Sequence, residues 1–279
     1  MRRLNNILIT GGTGFLGTNI YQFLSKEFPQ INVYIFSRRT GGDIKNLSQI
    51  KSAIEGKDLV INAAAQTFLA AALSGTNLEK KQFTATNYIG TLNVLAACKQ
   101  HNVPLVHVST GEVYGSNTRP GVPMTEEHPL NPQMGVYAQS KLEADLAVQQ
   151  AIKTGLNARI IRPSGMFGLF QSQEKFFPKL IGLVKSGKPV TIHGTGEQVR
   201  DYTSAEDIAQ AIWLLKDSPV GTIVNATAGK TFTLRQMAEL IIDSCRRHQL
   251  KGKIVHTPDR PNQVQEFYFP TGAANRCNC

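Results

Sequence analysis

The stretch Ile7-Leu8-Ile9-Thr10-Gly11-Gly12-Thr13-Gly14-Phe15-Leu16-Gly17 narrows the possible folds more than any other part of the 279-residue chain. A short apolar run ends in clustered glycines, and a helical pattern follows over residues 18–28. That order predicts a strand, a tight turn and a helix. Glycine permits positive φ and lets backbone approach a ligand that a Cβ would hold off. The N–H groups at a helix start lack intrahelical partners and favour an anion. Gly12-x-Gly14-x-x-Gly17, and the overlapping Gly11-x-x-Gly14-x-x-Gly17, have the spacing of a dinucleotide-phosphate turn. Gly-rich turns also arise by chance, so the weight lies in the strand pattern before this one and the helical pattern after it.

The alternation continues. Residues 31–36, β-branched and aromatic, read as a second strand. In a dinucleotide fold the residue about 20 positions past the glycines meets the adenosine ribose; an acid suits a free 2′-hydroxyl and an arginine a 2′-phosphate. Here Ser37-Arg38-Arg39 stands there without an acid, which favours NADP over NAD unless both arginines simply face solvent. Asp43-Ile44 reads as a further short strand, residues 47–54 as a helix, and 58–62 as a buried parallel strand ending in Ala63-Ala64-Ala65. Small residues at a strand's carboxyl end leave room for a ligand, since open α/β sheets bind at that edge. Helices over 87–101 and 142–154 and strands over 103–108 and 158–162 complete the pattern. The expectation is a parallel sheet covered on both faces.

Composition matters chiefly for partners. The formal charge is +10, but the basic residues are dispersed apart from Arg38-Arg39 and the region 246–253. That implies a solvated surface attractive to small anions rather than a nucleic-acid binder. No run approaches the roughly 18 apolar residues of a membrane span. Met1-Arg2-Arg3 is followed only by the short run Ile7 to Ile9, so no signal peptide or membrane partner is expected and the location expected is cytoplasmic. Cys98 and Cys245 fall in helical patterns and read as buried hydrophobes. Cys277 and Cys279 have no further ligands at useful spacing, so no metal is expected.

Two stretches carry reaction chemistry. Ser109-Thr110-Gly111-Glu112-Val113-Tyr114-Gly115 places hydroxyls at a strand's carboxyl end, and Tyr137-Ala138-Gln139-Ser140-Lys141 opens a helix. Spacing i, i+4 puts Tyr137 and Lys141 on one helical face. A tyrosine, ordinarily near pKa ~10, becomes a better base when a nearby ammonium favours the phenolate. Tyr137 could then take a hydroxyl proton while hydride leaves the same carbon, or run the reverse. Thr110 or Ser109 would hydrogen-bond the reacting oxygen. A lone Tyr-x-x-x-Lys carries almost no information; its order after the glycine turn does.

Together these motifs resemble the extended short-chain dehydrogenase/reductases, in the branch of nucleotide-sugar epimerases and dehydratases. The likeness runs on through Asn87-Tyr88-Ile89-Gly90-Thr91, Glu126-x-x-Pro129, His193-Gly194-Thr195-Gly196, Arg200-Asp201-Tyr202 and Glu206-Asp207. The resemblance implies a Rossmann-type, doubly wound parallel sheet with a small C-terminal substrate lobe. Tyr137 would be the acid/base, Lys141 would hold the ribose and tune Tyr137, and Thr110 would orient the sugar hydroxyl. Asp43 and Ile44 would meet adenine, while Arg200 and Arg260 would grip a nucleotide sugar unless they form surface ion pairs. A homodimer through helices 87–101 and 137–154 is common among such proteins.

Glu112 fits Thr-x-Glu, and a glutamate can remove a proton from a carbon beside a ketone; a solvent-facing Glu112 is the plain alternative. Family dehydratases usually place Asp between the two, where this chain has Gly111. The family's Arg-x-x-Asn-x-Tyr-Gly reads Arg162-Pro163-Ser164-Gly165-Met166-Phe167-Gly168, with Gly165 for the Asn. The chain ends at Cys279, where a closing helical segment would begin, so the lobe reads as shortened. The expected domains are 1–165 with a return near 200–228 for NAD(P), and 166–199 with 229–279 for substrate. The expected activity is NAD(P)-dependent hydride transfer at a carbinol or ketone of a nucleotide-linked sugar, leaning to a 4-keto reductase because NADPH is the usual donor for net reduction. The alternatives are a 4-epimerase or dehydratase and, from another class, a catalytically silent NADP-binding protein.

Overall fold

The computed structural model describes residues 4–67, 77–115, 122–131, 135–246, 248–250, 252–258, 266–267 and 269. Strand β1 (Asn6–Thr10) enters the glycine turn and α1 (Phe15–Glu27) leaves it. Then come β2 (Asn32–Phe36), a 3₁₀ turn (Arg38–Thr40), α2 (Leu47–Ile54), β3 (Leu59–Asn62) and α3 (Asn77–Phe83). A π-helical turn (Thr84–Ile89) leads into α4 (Gly90–His101), followed by β4 (Leu105–Val108), a 3₁₀ turn (Gly111–Tyr114), α5 (Val136–Lys153) and β5 (Ala158–Pro163). The remaining elements are β6 (Gly165–Phe167), α6 (Phe176–Lys185), β7 (Val190–His193), β8 (Val199–Ser204), α7 (Ala205–Leu215), β9 (Ile223–Ala226), β10 (Thr231–Thr233), α8 (Leu234–Arg246), β11 (Ile254–Thr257) and β12 (Glu266–Phe267).

Six strands form one parallel sheet in the order β2-β1-β3-β4-β5-β9. Ile9 pairs with Ile35 on one side and Ile61 on the other, so β1 sits where the winding reverses, the switch point at which open α/β sheets bind ligands. Every residue of β3, β4 and β5 is buried, as two covered faces require. On one face Ile20, Leu24, Ile208 and Ile212 of α1 and α7 pack on Ile7, Ile9 and Ile161. On the other, Ile50, Ile54, Val94 and Val148 of α2, α4 and α5 pack on Leu8, Val60 and Ile160. A separate apolar cluster joins α6, α8 and β7 through Leu180, Val184, Ile192 and Ile242.

Several local expectations change. Asp43 and Ile44 form no strand: the Asp43 carbonyl accepts from the Asn46 N–H and its carboxylate from the Lys45 N–H, which closes a turn. Ile44 is buried under Gly90 instead. Helix α5 begins at Val136, so Tyr137 lies in its first turn as expected of a residue that opens a helix, and the pattern from 142 is the continuation of the same helix. The helical stretch expected from 87 begins at Asn77 and passes through the π-helical turn. Such turns appear often at functional sites; here it lets Asn87 bond the backbone of Gln66 twice and the Ser140 hydroxyl once. The segment after β3 is thereby tied to α5.

Candidate active site

The glycine turn is set by sterics. Gly11 has φ of +70°, and a Cβ there would lie 2.6 Å from the Ala64 Cα; a Cβ on Gly17 would lie 2.2 Å from the Gly11 carbonyl oxygen. No side chain caps α1 at Gly14, and no acid occupies its first turn. The first N–H groups of Phe15, Leu16 and Gly17 are therefore open to an external anion. Thr13 Oγ1 bonds Ser37 Oγ at 3.0 Å, which joins this turn to the end of β2. Arg38 and Arg39 follow at once, exposed, and make no ion pair among the described residues. Ala63 and Ala64 stand beside Gly11, and Ala65 follows them, beyond the carboxyl end of β3. These features fit the diphosphate and ribose of a nicotinamide dinucleotide.

Thr110, Glu112 and Tyr137 come together at the carboxyl end of β4. The Thr110 and Tyr137 hydroxyls hydrogen-bond each other, and Thr110 Oγ1 also accepts from the Glu112 N–H at 3.3 Å. Phe83 packs edge-on against Tyr137. Burial raises the Tyr137 hydroxyl above the ordinary tyrosine value, the Glu112 charge adds to this, and the Thr110 bond only partly opposes it. Glu112 is partly buried, and burial pushes its carboxyl up to about 7 against the pull of Lys175 and Arg200. Glu112 is thus only partly open to solvent.

Two roles expected from sequence are not what this geometry displays. Lys141 Nζ donates to the Val108 carbonyl at 2.7 Å. Burial pulls it down to about 8 against the attraction of Asp145, and Tyr137 is raised rather than lowered. Ser109 is buried with its hydroxyl donating to Asp145 Oδ2 at 2.5 Å, so it faces the α5 interior and not an incoming ligand. Sequence reasoning missed the groups behind this segment. Arg162 gives Nε and Nη2 to Asp145 at 2.9 and 2.8 Å and Nη1 to the Tyr114 hydroxyl at 2.6 Å. The available signal was the i, i+4, i+8 series Tyr137, Lys141, Asp145 on one helix, with Arg162 at the end of β5.

Arg200 lies partly buried on β8 beside Glu112 and Tyr202, and burial lowers its pKa. Tyr202, Phe167, Phe176 and Phe177 form an aromatic wall. A Cβ on Gly111 would lie 2.5 Å from the Phe269 ring, so an aspartate at that position would require the ring to move. A Cβ on Gly165 would meet the Asp201 carbonyl at 2.9 Å. Arg260, Cys277 and Cys279 lie outside the described residues. Among the described residues no metal-binding cluster is present and no helix is long and apolar enough to cross a membrane.

A parallel sheet with an anion-accepting glycine turn at its switch point, and a hydroxyl–carboxyl cluster along the same edge, defines a Rossmann-type nucleotide-dependent enzyme. Residues 7–226 match the profile of the NAD dependent epimerase/dehydratase family, and the chain belongs to that family. It is 29% identical over 264 residues to the dTDP-glucose 4,6-dehydratase of Mycolicibacterium smegmatis, covering 88% of this chain and 74% of that one. The solved dTDP-glucose 4,6-dehydratase of Bacillus anthracis, in complex with NAD, superposes with a TM-score of 0.84 at 27% identity, covering 98% and 89% of the two chains. The UDP-glucose 4-epimerase of Thermotoga maritima, solved with UDP-glucose, shares the fold with a TM-score of 0.86 at 22% identity, covering 97% and 91%. These relatives are dehydratases and epimerases, and the lean towards a 4-keto reductase finds no support among them.

Proposed function

We propose that the chain remodels a nucleotide-linked sugar without net redox change, by transient oxidation of a ring carbinol and proton exchange at the carbon beside it. The observation that carries this reading is Glu112, a carboxyl tuned to about 7 next to Tyr137. A nicotinamide dinucleotide held at this edge would supply reversible hydride chemistry. With Lys141 turned from Val108 towards the cofactor and Tyr137, its ammonium would favour the phenolate, and Tyr137 Oη, beside Thr110 Oγ1, would take the carbinol proton and later return it. Glu112 removes the proton from the neighbouring carbon, made acidic by the transient ketone, and restores it to that carbon.

Gly11, Gly12, Thr13, Gly14, Phe15, Leu16 and Gly17 would hold the cofactor diphosphate, Asp43 and Ile44 the adenine, and Ala63 to Ala65 the adjoining face. Lys141 would exchange the Val108 carbonyl for the nicotinamide ribose. Arg38 and Arg39 support NADP as the preferred form, although the Bacillus anthracis relative was solved with NAD. Arg200 would meet the sugar diphosphate, to which a guanidinium fork is suited. Residues 1–165 and 200–228 would serve the cofactor, and 166–199 and 229–279 the substrate. Exposed Ile89 and Leu146, beside α4 and on α5, support pairing of two copies there.

The test is incubation of the protein and NAD or NADP with UDP- and dTDP-hexoses in D2O, followed by NMR and nicotinamide absorbance. Expected are a new sugar or deuterium at the carbon beside the transient ketone, with no net change in reduced nicotinamide. Tyr137→Phe should lower turnover by about 10²–10⁴-fold while cofactor binding persists, and Glu112→Gln should lose the deuterium exchange. In a parallel incubation with NADPH and 4-keto nucleotide sugars, stoichiometric oxidation of NADPH without exchange would replace this reading with the 4-keto reductase. Dinucleotide binding with no sugar conversion would favour the silent binding protein.

A further inference from the structure

The catalytic segment 109–114 is held from behind at both ends by one buried ion pair. Asp145 is fully buried and Arg162 nearly so. At the near end Asp145 Oδ2 accepts from Ser109 Oγ. At the far end Arg162 Nη1 donates to the Tyr114 hydroxyl, which donates in turn to Asn225 Oδ1 on β9 at 2.8 Å. The guanidinium carbon also lies 5.0 Å from the centre of the Tyr114 ring. Between the two ends sit Thr110 and Glu112. The same helix that supplies Asp145 carries Tyr137 two turns earlier and Lys141, which grips Val108 just before the segment.

We propose that Asp145 and Arg162 act as a two-armed clamp: positioning residues that, through Ser109 and Tyr114, set Thr110 and Glu112 against Tyr137. Stability alone is a poor reason for the pair, because apolar replacements of a buried ion pair are often neutral or stabilising. A flat, forked guanidinium is what allows one side chain to serve a carboxylate and a hydroxyl at fixed angles; an ammonium lacks that geometry. A 1 Å misplacement of a reacting group can cost about 10²-fold in rate, so a rigid backing has a direct kinetic consequence.

The role in turnover rests on the reading given under Proposed function, so two readouts are needed. In the full chain with cofactor, Ser109→Ala, Tyr114→Phe and Arg162→Lys should each lower kcat about tenfold or more with KM for the sugar nucleotide nearly unchanged. Ile54→Val, a core change on α2, serves as the control for lost stability and should leave kcat alone. Independently of turnover, ¹³C-labelled glutamate identifies Glu112 by its loss in Glu112→Gln. Its titration in Tyr114→Phe should move down towards the ordinary carboxyl range as the turn loosens among its charged and titratable neighbours Tyr137, Lys175 and Arg200. Wild-type kcat in folded Tyr114→Phe and Arg162→Lys, or an unmoved Glu112 titration, would overturn the clamp. A moved titration in a protein that converts no sugar would uphold the clamp and remove the proposed reaction.

Discussion

Asp145 stands behind one short segment and Glu112 belongs to it, and the two carboxyls are tuned in opposite directions. On the α5 side, burial pushes Asp145 up, but the hydrogen bonds and charge of Arg162, with bonds from Ser109 and Gln149, outweigh it and hold the carboxyl below its usual range. On the Arg200 side, burial pushes Glu112 up to about 7, and Lys175 and Arg200 only partly offset it. Burial disfavours the charged form in both places; hydrogen bonding to that form decides which carboxyl keeps its charge. One carboxylate is fixed for structure and the other is left able to exchange a proton near neutral pH.

The largest effect expected on this contrast comes from Arg162→Met. Asp145 would be left buried and uncompensated, and stability to urea should fall by about 3–5 kcal/mol. The double change Asp145→Leu with Arg162→Met should recover much of that loss, because no lone charge remains. If the single change is as stable as wild type, Asp145 is not held ionised by Arg162.

A smaller and opposite signature belongs to Glu112. Its folded pKa is raised, so its contribution to stability is complete below the unfolded value of about 4.5 and is lost as pH rises through about 7. Glu112→Gln should therefore gain stability relative to wild type between pH ~5 and pH ~8, on the order of 2 kcal/mol. Asp145 runs the other way: its contribution is present above the unfolded value and is lost only as pH falls through its lowered folded value. Urea titrations of wild type and variant at the two pH values would separate these; a flat difference would mean that Glu112 is not perturbed.

The smallest effect is expected from arginines without a buried partner. Arg38→Ala with Arg39→Ala should leave stability within about 0.5 kcal/mol and weaken NADP about tenfold more than NAD. Equal weakening of both cofactors, read by fluorescence titration, would remove the 2′-phosphate argument and leave the two arginines as solvated charge.

Much of the cofactor side was legible because its information is local. Strand, glycine turn and helix are contiguous, and a glycine at Gly11 or Gly17 answers to atoms a few residues away or on the adjoining strand. Thr110, Glu112, Tyr137 and Lys141 were legible as residue types at strand and helix ends, and the structure brings the first three together. Their protonation was not legible. The i, i+4 spacing places Lys141 on Tyr137's face of α5, but the Val108 carbonyl and Asp145 determine where its ammonium goes.

By itself, then, the sequence determined the alternation of strand and helix, the glycine turn at the uncapped start of α1 and the sheet edge at which Thr110, Glu112 and Tyr137 are placed, because periodicity and glycine sterics act over a few residues. Tertiary structure alone decided that Ser109 turns inward to Asp145, that Arg162 reaches from β5 to Tyr114, that Phe269 fills the space beside Gly111, and that Glu112 rather than Asp145 titrates near neutrality. Those outcomes depend on burial and on partners tens of residues distant in the chain, and both exist only once the sheet has assembled.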